Sequence, residues 1–467
     1  MTKIVASVYE SSEREALITL PSAAGADAIE VRADAFAPRG AAIDFAAFRA
    51  ATKTPLIFTR RGAGFDPVEA RRALDAGFDL VDVEFDERLA LPLVEPFRAR
   101  AILSLHDFEG VPDLDPLIDR MSAFGTAYVK IAATPRSFAE NVALLEVLDR
   151  RGGNLALFGM GTAGLYSRIL APFFGSALAF VGVNEQRPAA PGQFSLPRGH
   201  LYWGERGRIV RPEAIFAVVG YPIGHSLSPA IHNPRFRELG VAAAYSIAEV
   251  PALADVAVGL AEARPYYPTG ISITAPFKEE GFAFATAQGA DIAPRAFACG
   301  AINTLVRRVD GTLAADNTDV EGITAALRSL GRTPRAAAVL GGGGSARSAI
   351  VALRGADLEV RAFLRDPSKV DFGGYKGVSV HPFDELASFD GDLVVNTISA
   401  ERVAAYPRPL LRQGMAIIDL AYTRPRLDQL EEARRTGVQT VDGLAILEGQ
   451  ASAQSKLFML AVPGGRE

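Results

Sequence analysis

A regular alternation of strand and helix limits what the first part of this chain can become. Eight short β-rich runs, at 3–8, 29–34, 56–61, 80–85, 101–107, 128–133, 155–161 and 177–183, are separated by segments such as Asp66 to Ala76 and Ser137 to Arg150, whose apolar residues fall at helical spacing. Eight strand–helix units in succession close naturally as a parallel (β/α)8 barrel, with its chemistry at the carboxyl ends of the strands. Glu30, Arg32, Arg61, Glu84, His106 and Lys130 fall at such ends. Lys130 stands out further, because only seven of the 49 basic residues are lysine and arginine is the default surface cation. A lysine within the apolar run Tyr128-Val-Lys-Ile-Ala132 therefore points to chemistry. A desolvated lysine can attack a carbonyl as the free amine, and an imidazole such as that of His106 is suited to take a proton from the carbon beside the iminium.

At 467 residues the chain exceeds what one core normally supports. Residues 1–196 are read as the barrel and 197–212, rich in Gly, Arg and Pro, as a linker. Runs at 216–220, 245–250, 271–274 and 302–308 predict a small α/β unit from 213 to 315. Runs at 336–341, 359–365, 393–398 and 416–422 follow a doubly wound pattern over 316–444. There the turn Leu340-Gly-Gly-Gly-Gly-Ser-Ala346 follows a strand and opens a helix, the setting of a dinucleotide fingerprint. Gly341 would make the tight turn, Gly343 with Gly344 and Ser345 would let backbone N–H groups approach a pyrophosphate, and Ala346 would permit close helix packing.

Composition narrows the partners. Hydrophobic content of 49% with 22% charged residues is that of an ordinary globular protein, and a net charge of -5 without a Lys/Arg-rich run argues against nucleic acid or an anionic membrane surface. No apolar stretch approaches the length of a membrane span and no signal peptide is read, while one cysteine, Cys299, cannot form an internal disulfide; a reducing cytoplasm is the expectation. His200, His232 and His381 lack metal-like spacing, so no metal is expected. Cys299 reads as a small buried hydrophobe, His225 as shaping a turn, and Trp203 as an anchor between domains.

The motifs Glu30-Val-Arg-Ala-Asp34, His106-Asp-Phe108, Lys130-Ile-Ala132, Met160-Gly161 with Ser167-Arg168, and Ala190-Pro-Gly-Gln193 resemble type I 3-dehydroquinate dehydratase, in the family's order. The resemblance implies that Lys130 forms an imine with the ketone and His106 shuttles the proton, giving 3-dehydroshikimate. It also implies that Arg168 and Gln193 hold the carboxylate end, with Glu30, Arg32 and Arg61 around the hydroxyls. Two departures concern substrate ordering: Arg61-Gly-Ala-Gly-Phe-Asp66 replaces the usual Glu-Gly-Gly loop, and Ala189 replaces a common hydroxyl residue.

From Phe216 onward the chain resembles shikimate dehydrogenase, through Gly220-Tyr-Pro-Ile-Gly-His-Ser-Leu-Ser-Pro229, Ser272-Ile-Thr-Ala-Pro-Phe-Lys278, Gly300-Ala-Ile-Asn-Thr304 and Asp316-Asn-Thr-Asp319. By that resemblance Lys278 and Asp319 are the catalytic pair, Ser226 and Ser228 bind the shikimate carboxylate, and Thr274, Asn303 and Gln450 meet its hydroxyls. Residues 213–315 with 445–467 would bind shikimate and 316–444 the nucleotide. The family often has Asn in place of Ser272. Arg365 suits the 2′-phosphate of NADP, the expected cofactor, whereas Asp366 beside it is the type of residue that accepts from the ribose of NAD. The two resemblances together imply a bifunctional enzyme of small-molecule substrates, because the product of the first reaction is the substrate of the second. A dehydrogenase of shikimate or quinate with a decayed barrel, and a metabolite-sensing regulator, are the alternatives; oligomeric state is not legible.

Overall fold

The computed structural model describes the chain except residues 38–42, 62–64, 87–93, 185–186, 205–208, 371, 373, 399–405 and 465–467. Its first sheet holds β1 (Lys3–Val8), β2 (Ala28–Arg32), β3 (Leu56–Thr59), β4 (Leu80–Glu84), β5 (Ala101–Asp107), β6 (Tyr128–Ala133), β7 (Leu155–Gly159) and β8 (Leu178–Gly182). The strand order is β7-β6-β5-β4-β3-β2-β1-β8, a nearly closed parallel barrel. Across the seam the Ala177 N–H donates to the Leu155 carbonyl at 2.8 Å. The register sets Glu30 beside Ser7 and Lys130 beside Ser104. The runs expected to reach 34 and 61 stop at Arg32 and Thr59. After Arg32 the chain turns through Ala33–Ala35, which brings Asp34 back to accept from the Arg32 Nε and Nη2 atoms at 3.0 and 2.8 Å.

Local signals set the helix ends. Ser137 caps the helix Phe138–Arg151 by accepting from the Glu140 N–H at 3.2 Å, and Gly152, with φ of 52°, ends it. The linker expected over 197–212 is corrected over its first part: Leu196–Trp203 is a helix of the barrel. Pro197 and Gly199 hid it. Proline is tolerated in a first helical turn, and Gly199 lies so near the sheet that a Cβ would stand 3.1 Å from Val181 Cγ1. Trp203 lies against Phe194 and donates from Nε1 to the Ile169 carbonyl at 2.9 Å, so it fastens this helix to the barrel.

Two compact units divide the chain along lines other than those read from the sequence. The first comprises Met1–Val218, Pro222–Pro251 and Arg264–Pro268; the second, Val219–Tyr221, Ala252–Ala263 and Thr269–Glu467. The first unit thus adds to the barrel most of β9 (Ala214–Gly220), β10 (Ala243–Glu249) and the helix Ser228–Glu238 between them. Specific bonds fuse these pieces. Ser246 Oγ donates to the Tyr166 carbonyl at 3.1 Å, Tyr166 Oη to the Tyr266 carbonyl at 2.7 Å, and Arg237 to the Tyr202 and Leu201 carbonyls at 3.1 and 2.9 Å. Phe138, Tyr166 and Tyr267 pack ring against ring around them.

In the second unit β11 (Gly270–Ile273) runs antiparallel to β13 (Thr304–Arg307), which runs antiparallel to β14 (Leu313–Asp316), itself parallel to the two-residue β12 (Asp291–Ile292). The second sheet of this unit holds β15 (Ala336–Leu340), β16 (Glu359–Leu364), β17 (Val378–Pro382), β18 (Leu393–Asn396), β19 (Ala416–Asp419) and β20 (Gln439–Val441). Their order, β17-β16-β15-β18-β19-β20, is that of a Rossmann sheet, whose ligand crevice lies where the order reverses, between β15 and β18. Both faces carry apolar cores, one around Ile350, Leu353 and Val395 and the other around Phe363, Leu410 and Ile417.

Candidate active sites

Seven residues singled out in the barrel, Glu30, Arg32, Arg61, His106, Lys130, Arg168 and Gln193, line one pocket of about 20 Å³ with Ser7, Phe158, Met160 and Phe180. Lys130 is 2% exposed. Its Nζ donates to Asp82 Oδ2 at 2.9 Å, stands 4.0 Å from Glu30 Oε1, and lies 4.0 Å from the centroid of the Phe180 ring. Burial would raise the Asp82 carboxyl, but the Lys130 and Arg61 cations outweigh it and hold this acid below the usual carboxylate range. Glu30 is likewise held low against its burial, by Lys130, Arg32 and Arg61. It also accepts from Ser7 Oγ at 2.5 Å and Thr59 Oγ1 at 3.0 Å.

Glu84 fixes the imidazole of His106, with both carboxylate oxygens 3.0 Å from Nδ1. Burial, aided by the Lys130 and Arg61 charges, pushes His106 below its ordinary pKa despite the opposing Glu84 bond. That shift favours the neutral ring, and with Nδ1–H given to the Glu84 carboxylate the Nε2 atom is the basic one. Two arginines keep donors in reserve: Arg61 Nε and Arg168 Nη2 are buried without a hydrogen-bond partner among the described residues. Burial lowers Arg168 to about 10. Unsatisfied guanidinium donors in an enclosed pocket suit an anionic or hydroxyl-rich ligand. At Ala189 the backbone is engaged, its carbonyl accepting from Arg32 Nη1 at 3.2 Å and its N–H donating to Gln193 Oε1 at 2.8 Å. Residues 62–64 of the departing loop lie outside the described residues.

The second unit joins Lys278, Asp319, Asn303 and Gln450. Lys278 begins the helix Lys278–Ala287 and Asp319 begins Asp319–Ser329. The Lys278 ammonium bonds Asp319 and also donates to Ser345 Oγ at 2.9 Å. Asn303 Nδ2 lies 2.8 Å from Asp319 Oδ1 and 3.0 Å from Gln450 Oε1. Thr274 stands half-buried just beyond β11, and Ser272 is bonded to Gln454, 3.2 Å away.

Next to Lys278 a cavity of about 800 Å³ is lined by Gly341 to Ala346, Arg365, Asp366, Lys369, Thr397 and Ile398. A dinucleotide fits it. Gly341, at φ of +112°, makes the tight turn that a side chain would block, since a Cβ would meet Thr397 Oγ1 at 2.7 Å. Gly343 has open space where a Cβ would stand, at the start of the helix Gly344–Gly355, so backbone donors are accessible there. Arg365 is exposed at the cavity's edge, whereas Asp366 caps the following turn by accepting from the Ser368 N–H at 3.2 Å. Ser226 and Ser228 belong to the first unit, buried and with their hydroxyls 3.2 Å apart.

The type I 3-dehydroquinase family matches residues 4–198, and the shikimate dehydrogenase substrate binding domain matches residues 218–305. A shikimate dehydrogenase (NADP(+)) of Afipia carboxidovorans is 38% identical over 50% of this chain and 87% of its own length. One of Oleidesulfovibrio alaskensis is 34% identical over 53% of this chain and 90% of its own. The chain belongs to the shikimate dehydrogenase family. A bifunctional 3-dehydroquinate dehydratase/shikimate dehydrogenase of Arabidopsis thaliana, chloroplastic by name, is 29% identical over 93% of this chain and 78% of that protein. A solved structure of the dehydroquinate dehydratase and shikimate dehydrogenase from S. pombe AroM covers 98% of this chain and 95% of that one, at 25% identity and a TM-score of 0.41.

This shikimate dehydrogenase family member thus carries a type I 3-dehydroquinase domain ahead of its dehydrogenase part. Sequence reading passed over Asp82, Ser7 and Gln454. Asp82 was within reach of the reasoning applied to Lys130, being a charged residue in the apolar strand Leu-Val-Asp-Val-Glu. Ser7 and Gln454 carry no such signal, because buried serine and glutamine are unremarkable until their partners are known. Cys299 is buried, as expected, and burial with the nearby Asp319 charge pushes its thiol up to about 12. Among the described residues no cluster of three metal-ligating side chains occurs, and no helix is long and apolar enough to cross a membrane.

Proposed function

We propose that the barrel dehydrates 3-dehydroquinate through an imine on Lys130, and that the dehydrogenase part of the chain interconverts 3-dehydroshikimate and shikimate with Lys278 moving the proton. The observation that carries the first half is the enclosure of Lys130 with a neutral His106 in one pocket that also holds unsatisfied arginine donors. The Lys130 amine adds to the ketone carbon and one water leaves, giving an iminium. His106 takes the proton from the adjacent carbon, and the electron pair moves into the iminium. The hydroxyl across the new double bond departs with the imidazolium proton as water. A further water hydrolyses the imine and frees Lys130, so the net loss is one water. Arg168 and Gln193 take the carboxylate end, and Glu30, Arg32 and Arg61 the hydroxyls.

For the second reaction Ser226 and Ser228 bind the carboxylate, and Thr274, Asn303 and Gln450 orient the hydroxyls. Gly341 to Ala346 would hold NADP, with Arg365 suited to its 2′-phosphate, and the nucleotide would supply the hydride acceptor or donor. Lys278 takes or gives the proton at the carbinol oxygen, and Asp319 fixes its ammonium, itself steadied by Asn303. A cytoplasmic setting suits the one buried thiol.

The test is purified protein with 3-dehydroquinate, followed by ultraviolet absorbance of the conjugated enone, then by NADPH consumption. Enone formation followed by NADPH loss is expected. NADPH loss with added 3-dehydroshikimate, but no enone from 3-dehydroquinate, would remove the barrel's chemistry and leave the dehydrogenase.

A further inference from the structure

Glu249, the last residue of β10, joins two pieces of the first unit that the two proposed reactions use separately. Its Oε2 accepts the backbone N–H groups of Ile223 and Gly224, at 2.7 and 2.8 Å. Its Oε1 accepts from the hydroxyl of Thr162. Ile223 and Gly224 open the turn that continues through Ser226 to Ser228, where the Ser226 N–H donates back to the Ile223 carbonyl at 2.8 Å. Thr162 belongs to the barrel rim just after β7. Met160, two residues earlier, lines the Lys130 pocket, and the Gly161 N–H donates to the Pro191 carbonyl at 3.2 Å, in the loop that carries Gln193.

The approach is close on independent grounds. Gly224 has no side chain where a Cβ would meet Thr162 Cγ2 at 2.9 Å and Glu249 Oε2 at 3.5 Å. One carboxylate thus satisfies two successive backbone donors of a turn and grips the barrel rim with its other oxygen. Charge-assisted bonds of this type are stronger than neutral ones, and a turn with two N–H groups released is free to change its path.

We propose that Glu249 is a positioning residue for the dehydrogenase reaction, holding the Ser226–Ser228 turn in a carboxylate-binding shape and referencing that shape to the barrel rim through Thr162. The inference rests on the reading of Ser226 and Ser228 as carboxylate binders. It makes the barrel part of the dehydrogenase's substrate site in a mechanical sense: a hydroxyl on a dehydratase loop contributes to affinity for shikimate.

Steady-state shikimate oxidation by the full chain tests it. Glu249→Ala should raise KM for shikimate about tenfold or more, while kcat and KM for NADP stay within about twofold, because neither Lys278 nor the nucleotide cavity is touched. Thr162→Val, a change at an exposed position that keeps side-chain volume, should raise the same KM about two- to threefold. Glu249→Gln, whose amide oxygen can still accept from the turn, should fall between wild type and Glu249→Ala. Dehydratase turnover by Glu249→Ala reports whether the first unit is folded; if it is lost, Thr162→Val and Glu249→Gln decide. An unchanged KM in all three variants, with Ser226→Ala raising it, overturns the role of Glu249 and leaves the carboxylate reading standing. An unchanged KM in Ser226→Ala and Ser228→Ala overturns the carboxylate reading itself. A fall in kcat without a rise in KM would also overturn the positioning role.

Discussion

The two sites solve the placement of a reactive lysine in opposite ways. Lys130 projects from the middle of a barrel strand into a pocket of about 20 Å³, between two carboxylates and a ring face. Lys278 starts a helix beside a cavity of about 800 Å³, with one carboxylate and one hydroxyl for partners. A strand in a barrel is held by hydrogen bonds on both sides, so its side chains are fixed without help from ligand. Residues at helix starts depend on the loops before them. The barrel site is enclosed and charge-balanced as it stands, whereas the dehydrogenase site leaves room for a large cofactor. The lysine proposed as the covalent nucleophile sits on the strand that is paired on both sides.

The largest effect that would sharpen this contrast is Lys130→Ala. Dehydration of 3-dehydroquinate should fall on the order of a thousandfold or more, with shikimate oxidation within about twofold. Equal loss of both activities would break the separation of the sites. Borohydride reduction during turnover should leave a secondary-amine adduct, the ligand less one water plus two hydrogens, on the wild-type peptide carrying Lys130 and none on the variant. Next, Asp319→Asn should lower shikimate oxidation about a hundredfold while sparing the dehydratase, because Lys278 loses its charge partner.

Asp82→Asn tests whether the barrel's charge balance matters to the fold as well as to the reaction. Removing one member of a buried pair whose side chains are 2% and 1% exposed should cost about 3 kcal/mol of stability, read by denaturant unfolding, and lower dehydratase turnover about tenfold. A smaller effect concerns pH. As the proposed base, His106 must be neutral to accept a proton, and burial holds its pKa below the ordinary value. Dehydratase kcat/KM should therefore stay flat through neutrality and decline only as pH drops below about 6.5. Glu84→Gln removes the carboxylate charge that raises His106, so the acid limb should move further down. An unmoved limb would show that another group controls it. The smallest expected change is in cofactor choice: Arg365→Ala should raise KM for NADPH about fivefold and leave NADH nearly unaffected.

Much of this was written in local pattern. The eight strand–helix repeats announced the barrel because alternate burial of strands and helices leaves a periodic trace in hydrophobicity. The glycine turn was legible because Gly341, at positive φ, answers to backbone geometry within a few residues. Lys130 and Lys278 were conspicuous because a charged residue in an apolar setting is costly unless it is used. The helix at 196–203 escaped notice because its Pro and Gly look like loop residues, although one sits in a permissive first turn and the other allows close packing.

The sequence by itself determined the element order, the barrel, the nucleotide turn and the identity of the charged residues that need partners. Tertiary structure alone decided who those partners are: Asp82 for Lys130, Glu84 for His106, Ser345 for Lys278, and Glu249 for a turn 25 residues earlier. It also decided that β10 and the Ser226–Ser228 turn belong to the same compact unit as the barrel. The reason is physical. Periodicity records whether a residue faces core or water, a one-dimensional property of its own element, whereas a hydrogen bond between distant residues depends on where two elements pack and leaves no periodic mark in either one.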